Sequence, residues 1–186
     1  MENAEIQMQR LEAAAGTEHW TLVSVQALNR FYRGRSEEVV ASWMTREDRE
    51  AAIEDNIDYV NRVVSATRGS DEPIVFAGFS QGVAMAFRAG VRGNAAAAGV
   101  IAVGGDVPPE LLANSTLAFP RVLLVRGERD DWYTAAKLSA DVAALRDRAI
   151  SVESVTVDGG HEWTAEVSAS TSRILQAWQI TLAGQP

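Results

Sequence analysis

A serine stands between two glycines in Gly78-Phe79-Ser80-Gln81-Gly82, directly after the apolar run Pro73-Ile74-Val75-Phe76-Ala77 and directly before Val83-Ala84-Met85-Ala86-Phe87. An apolar run with no polar break reads as a buried parallel strand, and the apolar residues after Gly82 read as a helix packed under the sheet. A serine between the two must turn sharply. Glycines two residues to either side let the neighbouring backbones approach without a Cβ clash. Such a turn lifts the hydroxyl above the sheet edge, at a helix N-terminus whose unpaired N–H groups favour developing negative charge. Ser80 is therefore a candidate nucleophile.

Serine is a weak nucleophile at its own pKa and needs a base, which an imidazole near neutrality supplies. The chain has two histidines. His161 closes the turn Asp158-Gly159-Gly160-His161 and is the candidate base, whereas His19 lies just before a predicted strand and reads as a surface residue. A buried carboxylate would fix the tautomer of His161 and stabilise its charged form. Gly127-Glu128-Arg129-Asp130-Asp131 offers two such groups, Asp130 as the choice and Asp131 as the fallback, with the other facing solvent or capping the next helix. Glu162 reads as a helix-start residue. The order serine, acid, histidine, each on the loop after a successive strand, is one of the chain orders in which a nucleophilic triad occurs.

These turns must be carried by a sheet. Residues 4–15 read as a helix with Met8, Leu11 and Ala15 on one face, stopped by Gly16. Residues 20–27 read as a strand and residues 28–43 as a long surface loop. Thr45-Arg46-Glu47-Asp48 reads as a capping box for a helix with Ile53, Ile57, Val60, Val63 and Val64 on one face, broken at Gly69-Ser70-Asp71. Further strands are expected from Pro73 up to the Ser80 turn and at 99–104, 121–126 and 150–157, the last as a bulged edge strand. Gly104-Gly105-Asp106 turns into a short helical piece. Helices carry Leu138, Val142 and Leu145, and finally Val167, Ile174, Leu175, Trp178 and Leu182. Strands alternating with helices imply an α/β fold with a mostly parallel sheet of about five strands, covered on both faces, in a single domain over residues 1–186.

Composition narrows the function classes. The 186 residues are 47% hydrophobic with a net charge of −8, which suits a globular chain and disfavours nucleic acid or an anionic membrane as a main partner. There is no cysteine, so disulfides, thiolate catalysis and cysteine metal sites are excluded. No basic leader followed by an apolar core and no run of about 18 apolar residues is visible. The expectation is a soluble, cytoplasmic protein.

Gly78-Phe79-Ser80-Gln81-Gly82, Gly127-x-x-Asp130 and Gly160-His161-Glu162 together resemble the phospholipase/carboxylesterase branch of the α/β-hydrolases, which includes acyl-protein thioesterases. Gln26-Ala27 and Ser42-Trp43 fall where that family has a strand end and a Ser-Trp pair. The resemblance implies hydrolysis of a small-molecule carboxylic ester or thioester, with no metal or organic cofactor. It also implies that the Gln81 N–H is an oxyanion donor beside Ser80, His161 and Asp130. Trp43, Phe79, Trp132 and Tyr133 are candidates for the substrate pocket, with core or surface packing as their other reading. The family also has a strand ending in a His-Gly loop that supplies a second oxyanion donor, and the sequence has no such pair. The expectation is a shortened form of a longer protein, the alternative being a reduced fold in which the 20–27 strand pairs directly with the Pro73 strand. Loss of one donor costs about 10²- to 10³-fold in rate, so a catalytically weak or inactive binding protein on a hydrolase scaffold is the rival reading. A sheet edge left open would also favour a homodimer.

Overall fold

The computed structural model describes residues 2–16, 18–69 and 72–183, with side chains through residue 179. Helix α1 (Ala4–Ala15) starts where the Asn3 side chain accepts the Ile6 N–H, and stops at Gly16, whose φ of 66° lets its N–H return to the Glu12 carbonyl at 3.0 Å. Residues 20–27 run onward without strand pairing among the described residues, contrary to the expected strand. Their polar groups bond elsewhere: the Ser24 hydroxyl donates to the Ala4 carbonyl (2.7 Å), and Gln26 Oε1 accepts the Ala4 N–H (2.8 Å).

The stretch expected to be a loop holds a hairpin, β1 (Asn29–Tyr32) antiparallel to β2 (Val39–Ser42). Every residue of β1 is exposed, which hid its period, while Val40, Ala41 and Ser42 are buried. Helix α2 (Arg49–Thr67) buries Ile53, Ile57 and Val60, as its spacing predicts. Its capping box does not form. Asp48 takes a left-handed conformation without a side-chain cap, and Thr45 Oγ1 instead accepts the N–H of Glu47 inside the preceding turn. Ser70 and Asp71 of the predicted break, and the Leu182 side chain, lie outside the described residues.

From here strands and helices alternate: β3 (Ile74–Phe79), α3 (Gln81–Arg92), β4 (Ala97–Val103), α4 (Pro109–Ala113), β5 (Arg121–Gly127), α5 (Ala135–Asp147), β6 (Val152–Val157) and α6 (Ala165–Ala183). The sheet is parallel, as expected, in the order β3-β4-β5-β6, with four strands among the described residues where about five were expected. β6 is an edge strand, as expected, but pairs with β5 in even register from Val152 to Val157 without a bulge. The irregularity lies at the other end of the sheet, where Ile74 faces Ala97 and Val75 faces Gly99.

The central strands are apolar on both faces because helices cover both. Val100, Ala102, Val122 and Leu124 pack with Val83, Phe87, Leu111 and Leu145, while Ile101, Val103, Leu123 and Val125 pack with Val167, Ile174, Leu175 and Trp178. Each such side chain contributes about 1.5–3 kcal/mol on burial, and together they hold the carboxyl ends of the strands in fixed register. Among the described residues no helix is long and apolar enough to cross a membrane.

Trp178 lies so close over β4 that a Cβ on Gly99 would stand 2.2 Å from its ring. Gly99→Ala is expected to destabilise the fold by about 1–3 kcal/mol through overpacking. At about 2–4 °C per kcal/mol, thermal unfolding will read this as a lowered Tm. An unchanged Tm would mean that α6 packs more loosely than described.

Candidate active site

The strand-to-helix turn after β3 is built on close backbone approach at Gly78 and not, as expected, at both glycines, since a Cβ on Gly82 would meet nothing within 4 Å. A Cβ on Gly78 would stand 2.3 Å from the Gly82 carbonyl oxygen, so no side chain fits there. Ser80 takes φ 52° and ψ −118°, a strained conformation for a residue with a Cβ. Its N–H donates to the Val103 carbonyl at 2.8 Å, pinning the turn to the end of β4. The next residue, Gln81, opens α3, where first-turn N–H groups have no intrahelical carbonyl.

Three loops at the carboxyl ends of β3, β5 and β6 then converge. His161 Nε2 lies 2.8 Å from Ser80 Oγ, and Nδ1 lies 2.9 Å from Asp130 Oδ2. With the proton on Nδ1, that N–H donates to the carboxylate and the serine hydroxyl donates to Nε2. Asp130 is 3% exposed, and its other oxygen, Oδ1, accepts the N–H groups of Trp132 (2.8 Å) and Tyr133 (2.9 Å). Burial alone would raise the pKa of Asp130. The Tyr133 N–H, the His161 ring and the Trp132 N–H outweigh burial and hold it below the usual carboxylate range. The chain thus brings Asp130 to the histidine and leaves Asp131 exposed.

A family model described as Phospholipase/Carboxylesterase matches residues 38–178. The chain belongs to that family, and so to the esterase-type hydrolases. Among solved structures, Arabidopsis thaliana SOBER1 is 13% identical with a TM-score of 0.71, covering 96% of this chain and 94% of its own. The Bacillus cereus carboxylesterase is 15% identical with a TM-score of 0.62 over 94% of this chain and 83% of its own. Zea mays acyl-protein thioesterase 2 is 18% identical with a TM-score of 0.57 over 75% of this chain and 73% of its own. These likenesses show a shared fold. The comparison with curated proteins gave no match.

In this phospholipase/carboxylesterase-family chain a cavity of about 1160 Å³ reaches Ser80 and His161 and passes between residues 20–27 and β3. Trp43 and Phe79 line it, together with Trp20, Val25, Met85 and Leu175. Phe79 lies with its ring centroid 5.2 Å from that of His161 and carries the Arg10 guanidinium 4.8 Å over its face. The other two aromatic candidates fall elsewhere. Trp132 is 75% exposed, with its ring 6.4 Å from His161. Tyr133 is fully buried and donates its hydroxyl to Asp141 Oδ2 at 2.9 Å, so it belongs to the core and not to the pocket. Glu162 does not start a helix, since α6 begins at Ala165; its Oε1 accepts the Gly160 N–H and tightens the histidine turn.

Two features of the site went unread in the sequence. The Gln81 side-chain Oε1 accepts the Ser42 hydroxyl (3.1 Å) and the Trp43 N–H (3.0 Å), tying the end of β2 to the Ser80 turn. Gly104 and Gly105 let the loop after β4 pass close beneath the site: a Cβ on Gly105 would stand 2.7 Å from the Ser80 carbonyl, and one on Gly104 3.3 Å from His161. The glycine pair at a strand end was the available signal. Among the described residues no group of three metal-ligating side chains converges.

The lowered pKa of Asp130 predicts a pH signature. A depressed folded-state pKa contributes stability that is present above the unfolded value, about 3.9 for Asp, and is lost as pH falls through the folded value. Asp130→Asn is expected to lower stability by about 1–3 kcal/mol at neutral pH by disrupting a buried hydrogen-bonded charge. Denaturant titrations of both proteins should keep that gap down to about pH 4 and narrow it below. A gap independent of pH would show that Asp130 is not held as a carboxylate.

Proposed function

We propose that the protein hydrolyses carboxylic esters or thioesters through an acyl-enzyme on Ser80. The observation that carries this reading is the continuous hydrogen-bonded line from Ser80 Oγ through the His161 ring to Asp130, at 2.8 and 2.9 Å. Family membership supports the same chemistry. In the first half-reaction Ser80 Oγ attacks the acyl carbonyl while His161 Nε2 takes its proton, giving a tetrahedral oxyanion. Collapse expels the alcohol or thiol, which leaves with the proton from His161. Water then repeats the sequence: His161 takes its proton, the acyl–serine bond breaks, and the carboxylic acid departs as Ser80 regains its hydrogen.

Each neighbour has a part in that cycle. Asp130 keeps the His161 proton on Nδ1 and stabilises the imidazolium formed at each attack. The Gln81 N–H, at the start of α3, donates to the oxyanion, and the helix dipole adds to it. The cavity beside Phe79 and Trp43 receives an apolar acyl or alcohol group.

The test is hydrolysis of short-chain p-nitrophenyl esters and of a matching thioester, with covalent labelling by a fluorophosphonate. Wild-type protein should label once per chain and turn over, whereas Ser80→Ala should not label. Ser80→Ala and His161→Ala should lower kcat/KM by at least about 10³-fold, the scale of triad deletions. A Ser80→Ala protein that hydrolyses ester at the wild-type rate would refute the assignment.

A further inference from the structure

We propose that Asp141 is a positioning residue of the site, a buried carboxylate that clamps together the loop carrying the triad acid and the loop packed beneath Ser80 and His161. The proposal rests on the hydrolase reading above and goes beyond its three residues. Asp141 lies on α5, outside the hydrogen-bonded line, and is 8% exposed. One of its oxygens, Oδ2, accepts two hydrogen bonds from different loops: the Tyr133 hydroxyl at 2.9 Å and the Val107 N–H at 3.1 Å.

Each of those partners is one short step from the reacting groups. Tyr133 donates its own N–H to Asp130 Oδ1 at 2.9 Å, so fixing its ring fixes the backbone that holds the acid. Val107 lies in the loop 104–108, which begins at Gly104 against His161 and passes Gly105 against the Ser80 carbonyl. Val107 is itself 2% exposed, and its N–H has to meet an acceptor inside the core. An exposed ion pair between Lys137 and Asp106, at 3.0 Å, joins the same loop to α5 but is half in solvent and adds little. The buried bonds of Asp141 are the ones that set the register of the two loops.

A core that merely tolerated a carboxylate would not need it to bridge these loops. Positional error is costly in such a site, since a displacement of about 1 Å can cost about 10²-fold in rate. Removing the bridge should therefore act on kcat with little effect on KM, because nothing in the bridge lines the cavity.

The experiment compares wild type with Tyr133→Phe, Asp141→Ala and Asp141→Asn, and with Leu138→Ala as a destabilising control on the same helix. Rates are expressed per fluorophosphonate-titrated site, so that loss of folded protein does not count as loss of catalysis. Tyr133→Phe, which drops one bond, and Asp141→Ala, which drops both, should lower kcat by roughly 10- to 100-fold, the second more than the first. KM should stay within about twofold, as expected when a loss acts on the transition state alone. Asp141→Asn keeps an oxygen able to accept both hydrogens and should recover most of the activity, while Leu138→Ala should lose stability and keep kcat per site. Unchanged kcat in both Tyr133→Phe and Asp141→Ala overturns the clamp, as does an Asp141→Asn protein no better than Asp141→Ala. Should wild type neither label nor turn over, the hydrolase reading itself has failed. The downfield Nδ1 proton of His161 in the NMR spectrum then decides the clamp. Its presence in wild type and Asp141→Asn but not in Asp141→Ala supports the proposal, and an identical signal in all three overturns it.

Discussion

The contact on which the rest depends is the near touch of two backbones at Gly78 and Gly82, where a Cβ would meet a carbonyl oxygen at 2.3 Å. It forces the chain from strand to helix within a single residue, and that residue, Ser80, absorbs the turn at φ 52°. Strain of about 1–3 kcal/mol at one residue persists only where the surroundings over-determine it. Here they do. The Ser80 N–H is held by Val103, Gln81 is held by Ser42 and Trp43, and Gly105 packs against the Ser80 carbonyl.

From that fixed point the parallel sheet does the remaining positioning. Strands β3, β4, β5 and β6 advance in spatial order, so the loops after β3, β5 and β6 emerge on one side, within reach of one another. An imidazole is just long enough to span the gap between the loops after β3 and β5, with one nitrogen at 2.8 Å from Ser80 and the other at 2.9 Å from Asp130. The loop after β4 contributes no side chain to the hydrogen-bonded line of Ser80, His161 and Asp130. It contributes thinness, through Gly104 and Gly105, which leaves room for His161 above it.

Much of this was legible in the sequence, for identifiable reasons. Buried parallel strands are uninterrupted apolar runs, so β3, β4 and β5 announced themselves, and each turn that follows them carries glycine or aspartate. What failed was pairing. Residues 20–27 have a strand's alternation but, among the described residues, no partner in the sheet, because alternation records burial of one face and says nothing about a neighbour. Strand β1 was invisible for the converse reason: its residues Asn29, Arg30, Phe31 and Tyr32 are all exposed, and what ties it to β2 is the backbone ladder and the Asn29 side-chain amide donating to the Ser42 carbonyl at 3.0 Å. Within the site, the three side chains that the structure brings into one hydrogen-bonded line, Ser80, His161 and Asp130, could be named from their type and order. The residues that hold them could not, since Tyr133 and Asp141 meet only after α5 folds back over the loop, and neither type is diagnostic of that role.

The two oxygens of Asp130 explain how an ionised acid can stay buried at the centre of this arrangement. A buried carboxylate is stabilised by several hydrogen bonds or it takes up a proton. Oδ1 is given over to two backbone N–H groups of its own loop, and Oδ2 is left for His161. The charge is thus anchored by main chain on one side and offered to the imidazole on the other, so its orientation depends on the loop and not on a side-chain rotamer. That places the control of the acid in whatever holds residues 130–133. In this fold the group bonded to that segment from outside is the buried Asp141, which accepts the Tyr133 hydroxyl and also the Val107 N–H of the loop beneath Ser80.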